Sequence, residues 1–377
     1  MPAVVSPAPT PSSPRLLSLD ALRGFDMLWI VGADAIGGAV ARLQGGPPVR
    51  ALAEQLEHVA WAGFHFYDLI FPLFVFMVGA AVPLSLDKMV AAEGRGAALR
   101  RVLRRTLLLY VLGLFYYGGF ATPLAEVRLL GVLQRLALCY GAASLLHLYL
   151  RPRGLVVAAV ALLAGYWALL TFVPVPGFGA GDFAEGHNLA NWIDAHYLPL
   201  HQWDGDHDPE GLLSTLPAIA SCLLGALASL WLKRSDRSPA AKGWWLAGAG
   251  AVLIALGHAW GLQFPVIKKI WTSSFVLVAG GWSAALLGAF YLVLDVAQVR
   301  VWAWPFVWVG ANPLAIYLAS NIVDFGKLSE RFAGGDIATA LNALWPGLGG
   351  LVLALVGAAL CFALCRFLYQ RKIFLRI

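Results

Sequence analysis

The sequence predicts an all-α polytopic membrane bundle of about ten transmembrane helices, with both termini in the cytoplasm. Three observations lead to this fold class. The chain is 60% hydrophobic and only 13% charged, with a mean hydropathy of +0.73, which excludes an ordinary soluble globular domain. Its 15 tryptophans and 20 phenylalanines suit aromatic belts at helix ends. Its apolar stretches approach the twenty or so residues that a helix needs to cross a bilayer.

The predicted spans follow the apolar windows along the chain. They lie near residues 19–41, 66–87, 102–120, 130–150, 154–173, 211–232, 243–261, 273–295, 304–324 and 348–369. Only Arg151, Pro152 and Arg153 separate the fourth span from the fifth, which predicts a helical hairpin. Residues 1–14 are expected to form a disordered leader, so that residues 15–377 make a single transmembrane domain.

The distribution of basic residues predicts the orientation of the bundle. With the N-terminus inside, the inner segments hold 18 Lys and Arg residues and the outer segments hold seven. The longest outer loop, residues 174–210, contains none. The positive-inside rule therefore places both termini in the cytoplasm and the segment before the second span outside. It also accounts for the net charge of +6 without a nucleic-acid partner.

The stretch from His58 to Ser85 carries the strongest candidate for chemistry. His58 and Asp68 stand ten residues apart where an almost continuous apolar run begins. An imidazole can take up and release a proton near neutral pH. Our hypothesis is that His58 is the chemical centre of an integral membrane enzyme. The alternative is that these residues anchor a helix end at the membrane interface.

Charged residues inside the first predicted span need an explanation, because each costs roughly 2.5 to 3.5 kcal/mol near the bilayer centre. Asp20 and Arg23 are three residues apart on one helix face, so we expect them to form an ion pair. Asp34 lies further toward the outside and has no cation nearby in the sequence. It is therefore the stronger functional candidate in this span.

The fourth and ninth spans contain polar residues that suit a phosphate-bearing ligand. Arg135, beside Gln134, presents a fork of donors that fits a phosphate or a carboxylate. Such a ligand would approach from the basic inner face and meet the arginines around Arg105 first. Asn312 precedes Pro313, where a helix loses a backbone hydrogen bond and opens polar groups to a cavity. Helix packing is the alternative for Asn312.

The outer loop 174–210 combines carboxylates, amides and indoles. These groups suit a hydroxylated or cationic acceptor, and we predict Trp61, Asp208 and Glu210 as acceptor contacts. An ordinary solvated loop is the alternative.

No metal site is expected. The histidines of the outer loop match no helical zinc pattern, and the four cysteines lie inside apolar spans. These residues are His196, His201 and His207, and Cys139, Cys222, Cys361 and Cys365.

Several blocks of the chain, in the same order, resemble the transmembrane acetyltransferases typified by heparan-alpha-glucosaminide N-acetyltransferase. The blocks begin with RLLSLDALRGFDMLWIVGADA, then H-x-x-W-x-G followed by DLIFPLFVFMVGAAVPLSL, and continue with RLLGVLQRLALCYG, HDPEGLLSTLPAIASCLLGA, KKIWTSSFVLVAGGW and GANPLAIYLAS. The resemblance runs from about residue 15 to the end. It implies transfer of an acetyl group from cytoplasmic acetyl-CoA to the amine of a terminal glucosamine on the far side of the membrane.

The resemblance also implies roles for individual residues. The family's active-site histidine falls on His58, and its aspartate before the Phe-Pro pair falls on Asp68, which would orient the imidazole. The family's asparagine late in the first helix falls on Asp34, which is a departure, because an ionised carboxylate cannot donate a hydrogen bond to a thioester carbonyl. We assign acetyl-CoA contacts to Arg23, Arg105, Gln134, Arg135 and Asn312.

The resemblance leaves alternatives open. Direct transfer in a ternary complex and an acetyl-imidazole on His58 both fit the residues, and direct transfer is the interpretation we prefer. A transporter or a lipid- or glycan-handling protein with a polar path through the membrane is the second functional class, and a non-catalytic scaffold is a third. For the enzyme we expect a bacterial inner membrane location, with an amino sugar, acetyl-CoA and membrane lipids as partners and a homodimer as one assembly.

Overall fold

A computed structural model describes residues 16–375, and the predicted leader at 1–14 lies outside the described residues. The described chain is helical, with isolated backbone bridges and no strands. The helices are α1 (Leu17–Ala41), α2 (Pro47–Gln55), α3 (Phe66–Tyr116), α4 (Val132–Tyr149), α5 (Pro152–Phe172), α6 (Leu189–Tyr197), α7 (Thr215–Leu232), α8 (Pro239–Gly261), α9 (Ser273–Tyr291), α10 (Trp304–Gly310), α11 (Pro313–Ile322), α12 (Phe325–Ala333), α13 (Asp336–Leu344) and α14 (Leu348–Gln370). The all-α fold class is therefore confirmed.

The 51-residue helix α3 is broken at Gly94. This residue has φ +82° and ψ 169°, a conformation that glycine adopts without steric cost. A straight helix would hold Val82 and Val102 about 30 Å apart. Instead, residues from both halves of α3 share one buried cluster with Tyr140 and Leu148 of α4. The two halves of α3 therefore form a helical hairpin with its turn at Gly94.

Among the described residues, seven helices are long and apolar enough to cross a membrane, or eight if α10 and α11 make one span bent by 68°. The predicted span at 66–87 and most of the one at 102–120 lie in α3, which counts as one helix. The predicted span at 130–150 is α4, whose Gln134, Arg135 and His147 make it less apolar. The count of ten and the placement of the termini stay predictions.

The core forms where α3, α4, α5, α7 and α9 pack together with the start of α1. Glycine at two crossings lets helix backbones touch. A Cβ on Gly225 of α7 would lie 1.8 Å from the carbonyl oxygen of Phe76, and a Cβ on Gly310 would lie 1.8 Å from that of Asp20. The first contact joins α7 to the half of α3 before Gly94, and the second joins α10 to α1. These crossings bring together the helices that surround the site.

We predict that Gly225→Ala lowers the melting temperature of the protein in lipid nanodiscs. The added methyl group has no room, and overpacking a core costs about 1 to 3 kcal/mol. Gly165→Ala in α5 is the matched control, because a Cβ there meets nothing within 4 Å. Equal melting temperatures for the two variants would contradict the close crossing of α3 and α7.

Candidate active site

The carboxylate of Asp68 forms the centre of a polar cluster at the start of α3. Its side chain is fully buried and occupies the first turn of the helix. One carboxylate oxygen lies 2.8 Å from Nδ1 of His58, and the other accepts hydrogen bonds from the backbone N–H groups of His65 and Val59, at 3.0 and 3.3 Å. A carboxylate near a helix N-terminus is also stabilised by the helix dipole. The carboxylate of Asp68 therefore holds the imidazole of His58 through its Nδ1 atom.

The imidazole of His58 is held in one orientation but is not enclosed. It stacks on the ring of Tyr67, with centroids 4.2 Å apart and planes inclined by 2°. Its side chain remains 47% exposed. With the Nδ1 proton donated to Asp68, Nε2 carries the free lone pair. This arrangement presents a proton acceptor to a ligand, as the histidine of a hydrolase triad does.

Lys268 is a third member of the cluster that the sequence analysis did not single out. Its ammonium nitrogen lies 3.0 Å from Nδ1 and 3.1 Å from Nε2 of His58, and 3.5 Å from a carboxylate oxygen of Asp68. Burial lowers the pKa of Lys268 below its ordinary value, while the carboxylate of Asp68 opposes that shift. The sequence indicates Lys268 only as part of the block KKIWTSSF, which resembles the family. The block alone does not show that Lys268, and not Lys269, faces His58.

Asp34 joins the same region from α1. Its carboxylate accepts a hydrogen bond of 2.6 Å from the hydroxyl of Tyr67. The residue that stacks on His58 is thus tied to the residue that stands where the resembling family has asparagine. The structure brings the three predicted catalytic residues, His58, Asp68 and Asp34, into one cluster.

A cavity of about 330 Å³ lies between α1, both halves of α3, α4 and α11. On α3 its wall includes Phe71 and Phe74, which continue the helix face that Tyr67 begins. On α1 its wall includes Arg23, Met27 and Ile30, with Asp34 one turn further along the same face. The two faces meet at the Tyr67–Asp34 hydrogen bond, so this end of the cavity lies about one helical turn from the ring that stacks on His58.

Guanidinium groups line the opposite end of this cavity. Arg23, Arg101 and Arg105 contribute to its wall. The Nε atom of Arg105 is buried and has no hydrogen-bond partner among the described residues, and its guanidinium lies 4.5 Å from the centroid of the Tyr140 ring. Arg23 pairs with Asp20 at 2.7 Å, which confirms the ion pair expected from their spacing. A ligand with phosphate groups fits this end.

Two further residues assigned to acetyl-CoA, Gln134 and Asn312, are not part of the cavity wall. Asn312 donates to the carbonyl oxygen of Ile373 at 2.6 Å and accepts from the N–H of Leu375 at 2.9 Å. It thereby holds the C-terminal segment whose Leu375 lines the cavity. Gln134 donates to the carbonyl oxygen of Arg128. The helix break at Asn312 therefore serves to position a neighbouring segment.

Arg135 faces the loop before α7. Its guanidinium is fully buried, donates to Ser214 and to the carbonyl oxygen of Gly211, and lies 4.9 Å from the Trp271 ring. Its Nε and one terminal nitrogen have no partner among the described residues. The structure therefore separates Arg135 from the guanidinium groups that line the cavity.

Asp208 and Glu210 belong to a buried ion cluster with Arg128. The guanidinium of Arg128 donates to Asp208 at 2.7 and 2.5 Å and to Glu210 at 2.5 Å, between the rings of Tyr117 and Trp203. Although burial opposes the charged form, these two carboxylates raise the pKa of Arg128. The cluster fixes the outer loop to the segment between α3 and α4. An acceptor contact by either carboxylate stays a prediction.

The outer loop is held by further buried polar contacts. Asp194 on α6 accepts a hydrogen bond from the N–H of Leu212 at 2.9 Å, and burial raises the pKa of its carboxyl to about 6. The indole of Trp61 donates to the carbonyl oxygen of Phe183 at 2.9 Å. These bonds pack the loop over the segment that carries His58.

Glu185, Asp204 and His207 offer potential metal ligands within 4.8 Å of one another. The ammonium group of Lys269 already lies 2.7 Å from Glu185 and 3.1 Å from Asp204. The arrangement is that of an ion-pair network. Of the histidines considered above, His196 contacts the carbonyl oxygen of Trp192 instead, at 2.8 Å.

Comparisons with known proteins agree with the resemblance seen in the sequence blocks. Residues 15–140 match a family model described as "Domain of unknown function (DUF5009)". The chain is similar to heparan-alpha-glucosaminide N-acetyltransferase of Homo sapiens, with 26% identity over 97% of this chain and 60% of the relative. The protein of that name from Mus musculus is 24% identical over 97% of this chain and 61% of the relative. The chain thus spans about 60% of the length of these relatives, and the resemblance is confirmed.

We predict that Arg128→Gln destabilises the protein strongly. Removing the guanidinium leaves two buried carboxylates without their cation, a change that costs about 3 to 5 kcal/mol. Thermal unfolding in nanodiscs measures the effect. Arg234→Gln is the control, because Arg234 pairs with Asp236 on the exposed surface, and exposed ion pairs contribute little. A similar small change in both variants would count against a structural role for the Arg128 cluster.

Proposed function

We propose that this chain, similar along almost its whole length to heparan-alpha-glucosaminide N-acetyltransferases, is a membrane acetyltransferase that moves an acetyl group from acetyl-CoA to the amine of an amino sugar. The observation that carries the proposal is the position of His58. It stands at one end of two helix faces that line a cavity, and the guanidinium groups of Arg23, Arg101 and Arg105 lie at the other end.

The cavity suits an elongated thioester with a phosphate-bearing end. Its middle is apolar, with Phe71, Phe74, Met77 and Leu314 in the wall, and would accommodate an uncharged arm. Its arginines would bind phosphates, because guanidinium groups match phosphate geometry. The unpartnered Nε of Arg105 is a donor that such a ligand would satisfy. On this proposal the nucleotide stays at the basic end while the thioester approaches His58 past Tyr67 and Asp34.

The reaction needs a proton acceptor for the attacking amine. The amine nitrogen attacks the carbonyl carbon of the thioester, and Nε2 of His58 takes the proton that the nitrogen loses. The carbon–sulfur bond then breaks, and the proton passes to the departing thiolate to give CoA. Asp68 stabilises the transient imidazolium through Nδ1, as a carboxylate does in a catalytic triad. We prefer this direct transfer to an acetyl-imidazole intermediate.

The proposal includes a direction across the membrane. The chain would cross the membrane ten times if α3 counts as two spans, α10 and α11 together as one, and α4 as one. Each of the ten predicted spans then corresponds to one helix, to one half of α3 or to the bent pair. With both termini in the cytoplasm, the arginine-lined end of the cavity faces inward and His58 faces outward. The acceptor would then be a glycan outside a bacterial inner membrane.

We predict that His58→Ala lowers kcat for acetyl transfer by at least 100-fold, because general bases contribute 10² to 10⁴ in rate. Purified protein is incubated with labelled acetyl-CoA and a panel of amino sugars. His65→Ala is the matched control, since the ring of His65 contacts the carbonyl oxygen of Glu57, and its hydrogen bond to the carboxylate of Asp68 comes from the backbone N–H, which alanine keeps. Turnover by His58→Ala at the level of the control would exclude the proposed chemistry. Flux of an amino sugar into vesicles without use of acetyl-CoA would indicate a transporter.

We predict that Arg105→Met raises KM for acetyl-CoA about 10- to 100-fold, because a hydrogen bond to a charged group contributes about 1.5 to 3 kcal/mol. The KM for the amino sugar should stay unchanged. Arg100→Met is the control, because Arg100 is exposed on the same helix and is not part of the cavity wall. Equal KM values for both variants would place the nucleotide elsewhere.

A further inference from the structure

The loop between α8 and α9 carries Lys268 to His58 across 210 positions of sequence. Backbone pairing holds the loop against the segment that contains His58. The N–H of Gly63 donates to the carbonyl oxygen of Val266 at 2.8 Å, and Ala62 forms an antiparallel bridge with Ile267. The hydroxyl of Thr272 donates to the carbonyl oxygen of Pro265 and accepts from the N–H of Ile267. These bonds fix the position of the backbone that carries Lys268.

The position of the ammonium group excludes an ordinary hydrogen bond with His58. Its nitrogen is almost equally far from the two ring nitrogens, at 3.0 and 3.1 Å. A donor aligned with the lone pair of Nε2 would lie much further from Nδ1. The ammonium group thus leaves the Nε2 lone pair open and places a positive charge beside the ring. Its side chain is still 20% exposed, so a ligand can reach it.

The proposed reaction builds negative charge on the carbonyl oxygen of the thioester, and this charge needs a donor. Asp68, Tyr67 and Lys268 each contact the ring of His58. The hydroxyl of Tyr67 already donates to Asp34 at 2.6 Å, and Asp68 accepts from its own partners. Lys268 is the one member of this set with N–H groups to offer.

We propose that Lys268 is the catalytic residue that stabilises the oxyanion of acetyl transfer, and this inference rests on the proposed function. When the amine attacks, the π electrons of the carbonyl move to the oxygen, which the Lys268 ammonium group faces. When the electrons return, the carbon–sulfur bond breaks and the thiolate leaves with the proton held by His58. Lysine keeps its own proton throughout, so the step balances without a further reactant.

The test compares Lys268→Met, Lys268→Arg and Lys269→Met with the unchanged protein in nanodiscs, using acetyl-CoA and the best amino sugar from the panel. Lys269 is a matched control, because its ammonium group pairs with Glu185 and Asp204. Removing one oxyanion donor costs about 100- to 1000-fold in kcat. We expect that loss for Lys268→Met with KM for acetyl-CoA unchanged, partial recovery in Lys268→Arg, and near-normal kcat in Lys269→Met.

The outcomes separate the two proposals. An inactive unchanged protein overturns the proposed function, and the role of Lys268 with it. An active protein whose Lys268→Met variant keeps kcat within threefold overturns the role of Lys268 alone. A variant that loses its melting transition is replaced by Lys268→Gln, and full kcat in Lys268→Gln also overturns that role.

Discussion

The buried carboxylate of Asp68 is the interaction on which the site depends. A charge removed from water is tolerated only when partners surround it. Here the partners come from two distant parts of the chain. They are the ring of His58 with the N–H groups of Val59 and His65, and the ammonium group of Lys268. The carboxylate of Asp68 in the first turn of α3 thus holds together the imidazole of His58, the ammonium group of Lys268 and the backbone near the start of the helix.

Helix periodicity connects this point to the cavity. Tyr67, Phe71 and Phe74 follow one face of α3, and Arg23, Met27, Ile30 and Asp34 follow one face of α1. From Arg23 to Asp34 the helix rises only about 16 Å. On the proposed function, a thioester would have a short distance to travel between the arginines and His58, and no charged part of the ligand would have to leave the basic end. This short distance favours acetyl transfer within one fixed cavity, as proposed, over transport of a whole molecule.

The sequence predicted local relations well and distant ones poorly. The Asp20–Arg23 pair followed from a spacing of three residues, and the contact of His58 with Asp68 was expected from the resemblance, whose histidine and aspartate fall on these two positions. Lys268 could not be assigned, because only folding brings it across 210 positions. Likewise, nothing near Asp208 in sequence indicates that its partner is Arg128, 80 positions earlier. Hydropathy predicted two separate spans at 66–87 and 102–120. It could not show that both belong to one helix, α3, broken at Gly94.

Asp34 shows how a departure from the resembling family can be consistent with the same chemistry. An amide at this position could donate a hydrogen bond to a carbonyl oxygen, and a carboxylate cannot. In this chain the carboxylate instead accepts a hydrogen bond from the hydroxyl of Tyr67, whose ring stacks on His58. Asp34 therefore does not donate a hydrogen bond, as an amide could, but holds the ring of Tyr67 that positions His58. Donation to the oxyanion then requires another group within reach of His58. The ammonium group of Lys268, 3.0 Å from Nδ1 of the ring, meets that requirement, and the charge of Asp34 opposes the lowering of the Lys268 pKa by burial.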